Sequence, residues 1–438
     1  MSITSTADPG RTRRGWAIAC AMVAVVWAVE PASAADPDPQ NPTFAADIAP
    51  ILQENCQTCH QPGGMAPMSL TSYEEVRPWA SLIKLRVEQR RMPPWHIDKG
   101  VGIQEFKNDI SLSDEEIAII SRWVDQGAAL GDPADLPPPV DLEPTSVDEW
   151  NLEKILGRPP DVVIRSDPYT VAANGQDQWW EPQVVISGIS GPRFIMANET
   201  RPSEDVGRKV THHANSEISN YGIGKPFDIY PPETGRRIEP GDTVTFNIHY
   251  YPVGEEADNQ FVEVGLWLYP EGEEPRFETE GDVSFSAIRP GQELVIPPHG
   301  TQITQGIHVL QTNARIHSVR AHQHLLGTGQ SIEAVYPDGR VEVLSKLNWD
   351  HKWAITYLYE DHVMPLLPKG TVLIITGWYD NTANNPNNTD PSKWVVYGRR
   401  TIDEMAHMWI GITYLDDEQF TYLTEQREEQ LARLGLAK

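Results

Sequence analysis

Cysteine is scarce in this chain, three among 438 residues, and one of the three, Cys20, sits in a short apolar run near the N-terminus. That run, WAIACAMVAVVWAV, follows Arg11, Arg13 and Arg14 and precedes PASA, so residues 1–34 read as a secretory signal cleaved after Ala34. The mature chain is then expected to be periplasmic or secreted. With only Cys56 and Cys59 left, it has no disulfide framework, and that pair must serve another purpose. No later apolar stretch is long enough to cross a bilayer, so no membrane span is expected in the mature chain. Basic residues are also few: 35 Lys and Arg against 62 Asp and Glu give a net charge of −27. It becomes −28 without the first 34 residues, which hold three Arg, one Asp and one Glu. Such acidity argues against nucleic acid or anionic membrane as partners. No tight internal repeat is present.

What is there changes texture along the chain. FAADIAPILQENC carries an apolar helical spacing into the cysteines. SYEEVRPWASLIKLRVEQR opens with Ser72 three before Glu75, and SDEEIAIISRWVDQGA with Ser113 three before Glu116, both capping-box arrangements. Ile117, Ile120 and Val124 share one helical face, and Gly127 can end that helix. Residues 35–132 are therefore expected to form a small all-α domain. The proline-rich acidic stretch GDPADLPPPVDLEP marks an extended linker, assigned to 133–158. Beyond it come short segments rich in β-branched and aromatic residues, such as DTVTFNIHYYPV, FVEVGLWLYP and GTVLIITGWYD. Roughly 260 residues of this predict two all-β, jelly-roll-like sandwiches, 159–282 and 283–416, in a multidomain protein. A charged helix, 417–438, is expected to pack through Phe420, Leu423 and Leu434.

CQTCH, residues 56–60, is the attachment pattern of c-type haem: two thiols add to the vinyl groups and His60 supplies an axial ligand. A redox Cys-x-x-Cys pair and half a zinc site are the alternatives, but no second cysteine pair and no thioredoxin-like βαβ pattern supports them. Export fits a haem attached outside the cytoplasm to a chain not yet folded. The sixth ligand is open among Met92, Met65, Met68 and His96. Met92, in RRMPPWH, is favoured because its setting resembles the Met-Pro that supplies the distal thioether in many class I cytochromes c. Histidine and methionine ligation implies an electron carrier.

Several of the thirteen histidines fall in strand-like contexts. His212 and His213 lie in KVTHHANSE, His249 in FNIHYY, His322 and His324 in VRAHQH, and His407 beside Met405 and Met408 in IDEMAHMWIG. Strand residues two apart face the same way, so His322 and His324 can converge on one metal ion. Adjacent His212 and His213 can share one only where the backbone bends or bulges. Taken singly, each also reads as a structural histidine. The order HH, HY, HxH, DEM, with Arg320 two before His322, resembles that of the copper ligands in the two-copper monooxygenases. That is the family of peptidylglycine α-hydroxylating monooxygenase and dopamine β-monooxygenase, and the resemblance spans about 160–415. It implies that His212, His213 and His249 hold an electron-transfer copper. His322, His324 and Met405 would hold the copper that meets dioxygen, with Arg320 in the same catalytic set. Two imidazoles and a soft thioether suit Cu(I), while three imidazoles accept either oxidation state. Zinc is the rival at the three-histidine set, though no HExxH pattern backs a hydrolase.

His407 and Trp409 stand where the family carries Asn and Tyr against the substrate pocket, so peptide and catecholamine substrates do not carry over. No cysteine remains in this region, so the disulfides of the animal enzymes cannot form. The fused cytochrome is a further departure. The resemblance implies a copper-dependent monooxygenase that hydroxylates a C–H bond of a small organic substrate with dioxygen. Its cofactors would be two copper ions and one covalently bound haem c, with an external electron donor to the haem. The alternative is a haem and copper electron-transfer or copper-binding protein without oxygenase turnover.

Overall fold

A computed structural model describes residues 40–62, 66–140, 149–203, 205–222 and 227–436. The secretory signal with Cys20, and the candidate ligand Met65, lie outside the described residues. Strand is the commonest regular structure of the described chain and is divided among several sheets. One sheet orders its strands Phe277–Glu278, Thr234–Ile238, Arg193–Pro202, Val262–Leu268, Val162–Arg165. A second orders Gln178–Trp180, Asn247–Tyr250, Thr211–Asn215, Asn220–Gly222. Ile195 and Val264 from the first and Ile248 and Tyr250 from the second close on one core with no measurable exposure. This is the interdigitated interior of a sandwich.

The chain crosses to a second pair of sheets between Glu278 and Gly281. There Val341–Asn348, Gly327–Val335, Val372–Asp380 and Thr301–Val309 run side by side. The facing sheet holds Gly281–Ser286, His407–Leu415, Asn313–His322 and Tyr357–Leu358. Ile332 and Ile375 from one, and Ile316, Val319 and Ile410 from the other, fill the interior.

Before the sheets come the helices Ala49–Asn55, Tyr73–Val76, Ala80–Glu88 and Asp114–Asp125, gathered around Phe44, Leu52, Val76 and Trp123. Both expected capping boxes are present, Ser72 with Glu75 and Ser113 with Glu116, and Gly127 takes φ +98° after the last helix. One segment departs from the all-helical expectation. After Ala80–Glu88 the chain leaves the helices, and the strand Ile97–Gly102 joins the second sandwich with Ile97 opposite Leu347. IDKGVG is a poor helix, with Gly100 and Gly102 at positive φ, and Trp95, Ile97 and Phe106 are buried in the second sandwich's core.

The linker is also shorter than 133–158, of which 141–148 lie outside the described residues. Trp150 and the helix Asn151–Leu156 belong to the first sandwich: Trp150 meets the outward-facing Trp267 edge-on at 6.0 Å. The buried Glu199 carboxylate accepts the backbone N–H of Asn151 (3.1 Å) and Leu152 (2.9 Å), satisfying the free end of that helix. The C-terminal helix is Asp417–Arg433, capped by Asp416 with Gln419. Phe420 and Leu423 are half-buried, but Leu434 is 54% exposed because it lies beyond the last turn.

Candidate functional site

Two strands of the first sandwich carry the three-histidine set. Thr211–Asn215 runs antiparallel to Asn247–Tyr250 with His249 opposite His213 and Tyr250 opposite Thr211, which leaves His212 as the extra residue of a bulge. The bulge removes the alternation that would separate adjacent side chains. One ligand nitrogen from each of His212, His213 and His249 lies within 4.8 Å of the others. Trp179, across from His249 on the neighbouring strand, stacks on its ring at 4.1 Å. His249 Nε2 is 3.2 Å from Asp177 Oδ2 without hydrogen-bond geometry, and His212 Nδ1 is buried with no hydrogen-bond partner. Burial lowers all three imidazoles, His249 to about 4, and so keeps them in the neutral form that binds a metal.

The second set stands where Asn313–His322 ends. Strand alternation does not place His324, because pairing stops at His322, opposite His407, and His324 lies just before the following turn. The two rings still converge, with centroids 5.6 Å apart. His324 Nδ1 donates to the Asp403 carbonyl (3.1 Å), which leaves Nε2 for another partner. His322 Nε2 lies 3.2 Å from Met405 Sδ.

Glu404 joins Met405 to this turn. Its buried carboxylate accepts the backbone N–H groups of His324, Leu326 (2.9 Å), Gly327 (3.1 Å) and Met405 (2.9 Å). Burial pushes the Glu404 carboxyl up to about 7 while these four donors pull it down. In Glu404→Gln an amide NH2 would face N–H donors, and a loss of about 2 kcal/mol in urea unfolding is expected. A loss within about 0.5 kcal/mol, the scale of an ordinary surface change, would contradict this fastening role.

Both sets line one cavity of about 310 Å³ between the sandwiches. His351 and Trp349 reach into it from the second sandwich, and the His351 ring is 6.3 Å from that of His212. The loop before Met405 holds the two halves together: Arg399 pairs with Glu181, and Thr401 donates to Asp177 (2.6 Å). His407 stacks on His322 at 4.6 Å. Arg320 is buried behind Trp409, 5.5 Å from its ring centroid, with Nε and Nη2 lacking hydrogen-bond partners. After burial itself, its positive charge is among the causes that hold His213, His322 and His407 neutral.

In the helical part, Cys56 and Cys59 are unbridged at the end of Ala49–Asn55. Burial pushes the Cys56 thiol up to about 12, the opposite of the low-pKa thiolate a redox or nucleophilic cysteine requires. His60 Nδ1 donates to the Met68 carbonyl (3.0 Å), so Nε2 remains available. The Met68 backbone thus lies behind the ring, and its side chain packs on the helical core. Met92 is half-buried where the chain leaves the helices, whereas His96 is tied by its backbone to Tyr357 and Asn348 of the second sandwich. The sequence reading missed His351, Trp349 and Trp179. NWDHKW and DQWWEP carried the only signal, histidine or tryptophan packed among polar residues.

No protein-family profile and no curated protein matches the chain. Among solved structures it is similar to a xanthan lyase of Paenibacillus at 7% identity over 57% of this chain and 25% of that one, TM-score 0.15. The chain thus spans about a quarter of the lyase. It is also similar to procruciferin, an 11S globulin of Brassica napus, at 8% identity over 58% of this chain and 85% of that one, TM-score 0.13. Likenesses this slight bear on neither fold nor function.

Proposed function

We propose that the protein is an exported, copper-dependent monooxygenase that hydroxylates a C–H bond of a small organic substrate, with electrons entering through a c-type haem in the helical domain. The observation that carries this reading is the single cavity lined by a three-imidazole set and a two-imidazole, one-thioether set. The donors fit copper: neutral imidazoles, an orphaned buried nitrogen on His212, and a sulfur beside His322 Nε2. His212, His213 and His249 would hold one ion, and His322, His324 and Met405 the other. Bound copper supplies one-electron redox chemistry and dioxygen binding. The protein's part is to orient the ligands: Asp403 fixes the His324 ring, Glu404 fastens the turn to Met405, and Trp179 braces His249. Haem c fits CQTCH, where the thiols are unbridged and His60 is held through Nδ1 with Nε2 free. Met92 remains the preferred sixth ligand, since Met68 is committed to the helical core. The acidic surface and the N-terminal segment support an exported protein that meets a separate electron donor.

The mature protein is expected to contain about two copper ions and one covalent haem per chain and to consume dioxygen when given a reductant and an organic substrate. Chelation should stop that uptake, and copper, not zinc, should restore it. Full copper and haem content with no uptake across a broad substrate panel would favour an electron-transfer protein without turnover. Zinc at the three-histidine set in the native protein would overturn the copper assignment.

A further inference from the structure

The strand that leaves the helices does more than dock them. The segment leading into it starts at Met92 and runs through Trp95 and His96 to Ile97, where the strand begins in the second sandwich. Trp95 is buried there, 4.8 Å from the Tyr357 ring, and the His96 N–H donates to the Tyr357 hydroxyl (3.1 Å). The His96 carbonyl accepts the backbone N–H of Asn348 (2.8 Å). One residue on, Trp349 Nε1 donates to the His324 carbonyl (2.9 Å), and its ring lies 6.3 Å from that of His322. Two residues beyond is His351, facing His212 across the cavity.

We infer that the segment Met92–His96, the Asn348 hydrogen bond and Trp349 form a fixed through-bond connection that delivers electrons from the haem to the metal ligands in the cavity. This rests on the function proposed above. From Met92 to His96 the chain spans at most about 14 Å. Every later link is a hydrogen bond or a covalent step. Trp349 is a positioning residue here, the last link before His324. Its loop is held by the strand pairing of Ile97 with Leu347 and by the Trp349 N–H bond to Thr328 (3.0 Å). The connection therefore needs no hinge motion between the helices and the cavity. It carries one electron at a time: a ferrous haem becomes ferric, a cupric ion becomes cuprous, and no proton or bond moves.

The test uses the intact protein with haem and copper bound. After oxidised protein is pulsed anaerobically with a small one-electron reductant, the haem α band should rise and then decay as the Cu(II) electron paramagnetic signal falls. In the parent this decay should be first order and independent of protein concentration. Trp349→Phe keeps an aromatic ring but loses the donor to His324, and should slow the decay about tenfold or more, the scale of a lost outer-shell partner. Haem spectrum and copper content, measured alongside, should stay at parental values, and the melting temperature should fall by no more than the few degrees that one lost hydrogen bond costs. If the variant decays at the parental rate, or the parental decay scales with protein concentration, the connection is overturned while the proposed function stands. A protein lacking covalent haem or copper overturns that function and this inference together. Should Trp349→Phe lose its fold, Trp349→Tyr, which retains a bulky ring, carries the same comparison and the same outcomes.

Discussion

Met405→His is expected to keep copper but lose turnover by more than about 100-fold, beyond the scale set by outer-shell changes. Met405 Sδ lies 3.2 Å from His322 Nε2, in the position of a third donor. An imidazole there is a harder ligand, favours Cu(II) and opposes the reduced state that must meet dioxygen. The fold should survive, since Met405 is only half-buried and the Glu404 carboxylate still holds its backbone N–H. As a mere packing residue, Met405 would give a loss of about 1 kcal/mol and near-normal oxidation. X-ray absorption of the reduced protein separates these. The parent should show a Cu–S scattering path and the variant none, and a parent with only nitrogen and oxygen neighbours would remove Met405 from the site.

Replacing both Cys56 and Cys59 by Ser should abolish haem staining of the denatured chain, because both thioether links are gone. Each single variant should retain a weakened stain. The raised pKa of the Cys56 thiol argues against a nucleophilic role for that residue. Full-strength stain in the double variant would mean that the haem is bound elsewhere. Dioxygen uptake driven by a donor specific for the haem should vanish with the stain, while uptake driven by a small reductant that reaches the cavity directly should persist.

The sequence made some of this legible and hid the rest for physical reasons. Capping boxes at Ser72 and Ser113 are local, so four residues suffice to read them, and both are present. The β texture after the linker was equally plain, because alternation and β-branching are short-range. The convergence of His212 with His213 was legible only as a condition: it required a bulge, and the register with Asn247–Tyr250 contains one. His322 and His324 come together for a different reason than the spacing gave, since the strand ends between them and Glu404 shapes the turn. Long-range partners left no local trace. Trp150 looks like linker until Trp267 is beside it, and His351 is an unremarked histidine until the second sandwich brings it opposite His212.

The excursion of Ile97–Gly102 out of the helices and back bears on how the chain can be assembled and divided. Its pairing partner, Val341–Asn348, lies far later in the chain, Ile97 standing opposite Leu347 at a separation of 250 residues. Contacts of that separation pay a large loop-closure entropy before they return anything, so they belong to the slow, late part of folding. Until the second sandwich exists, the loop between Ala80–Glu88 and Asp114–Asp125 has nothing to cover Trp95, Ile97 and Phe106. A fragment ending near residue 132 would therefore expose Trp95, Ile97 and Phe106 beside an unpaired strand edge, a combination that favours aggregation. The N-terminal helices look like a detachable module in the linear sequence, but the fold has sewn them to the far end of the chain.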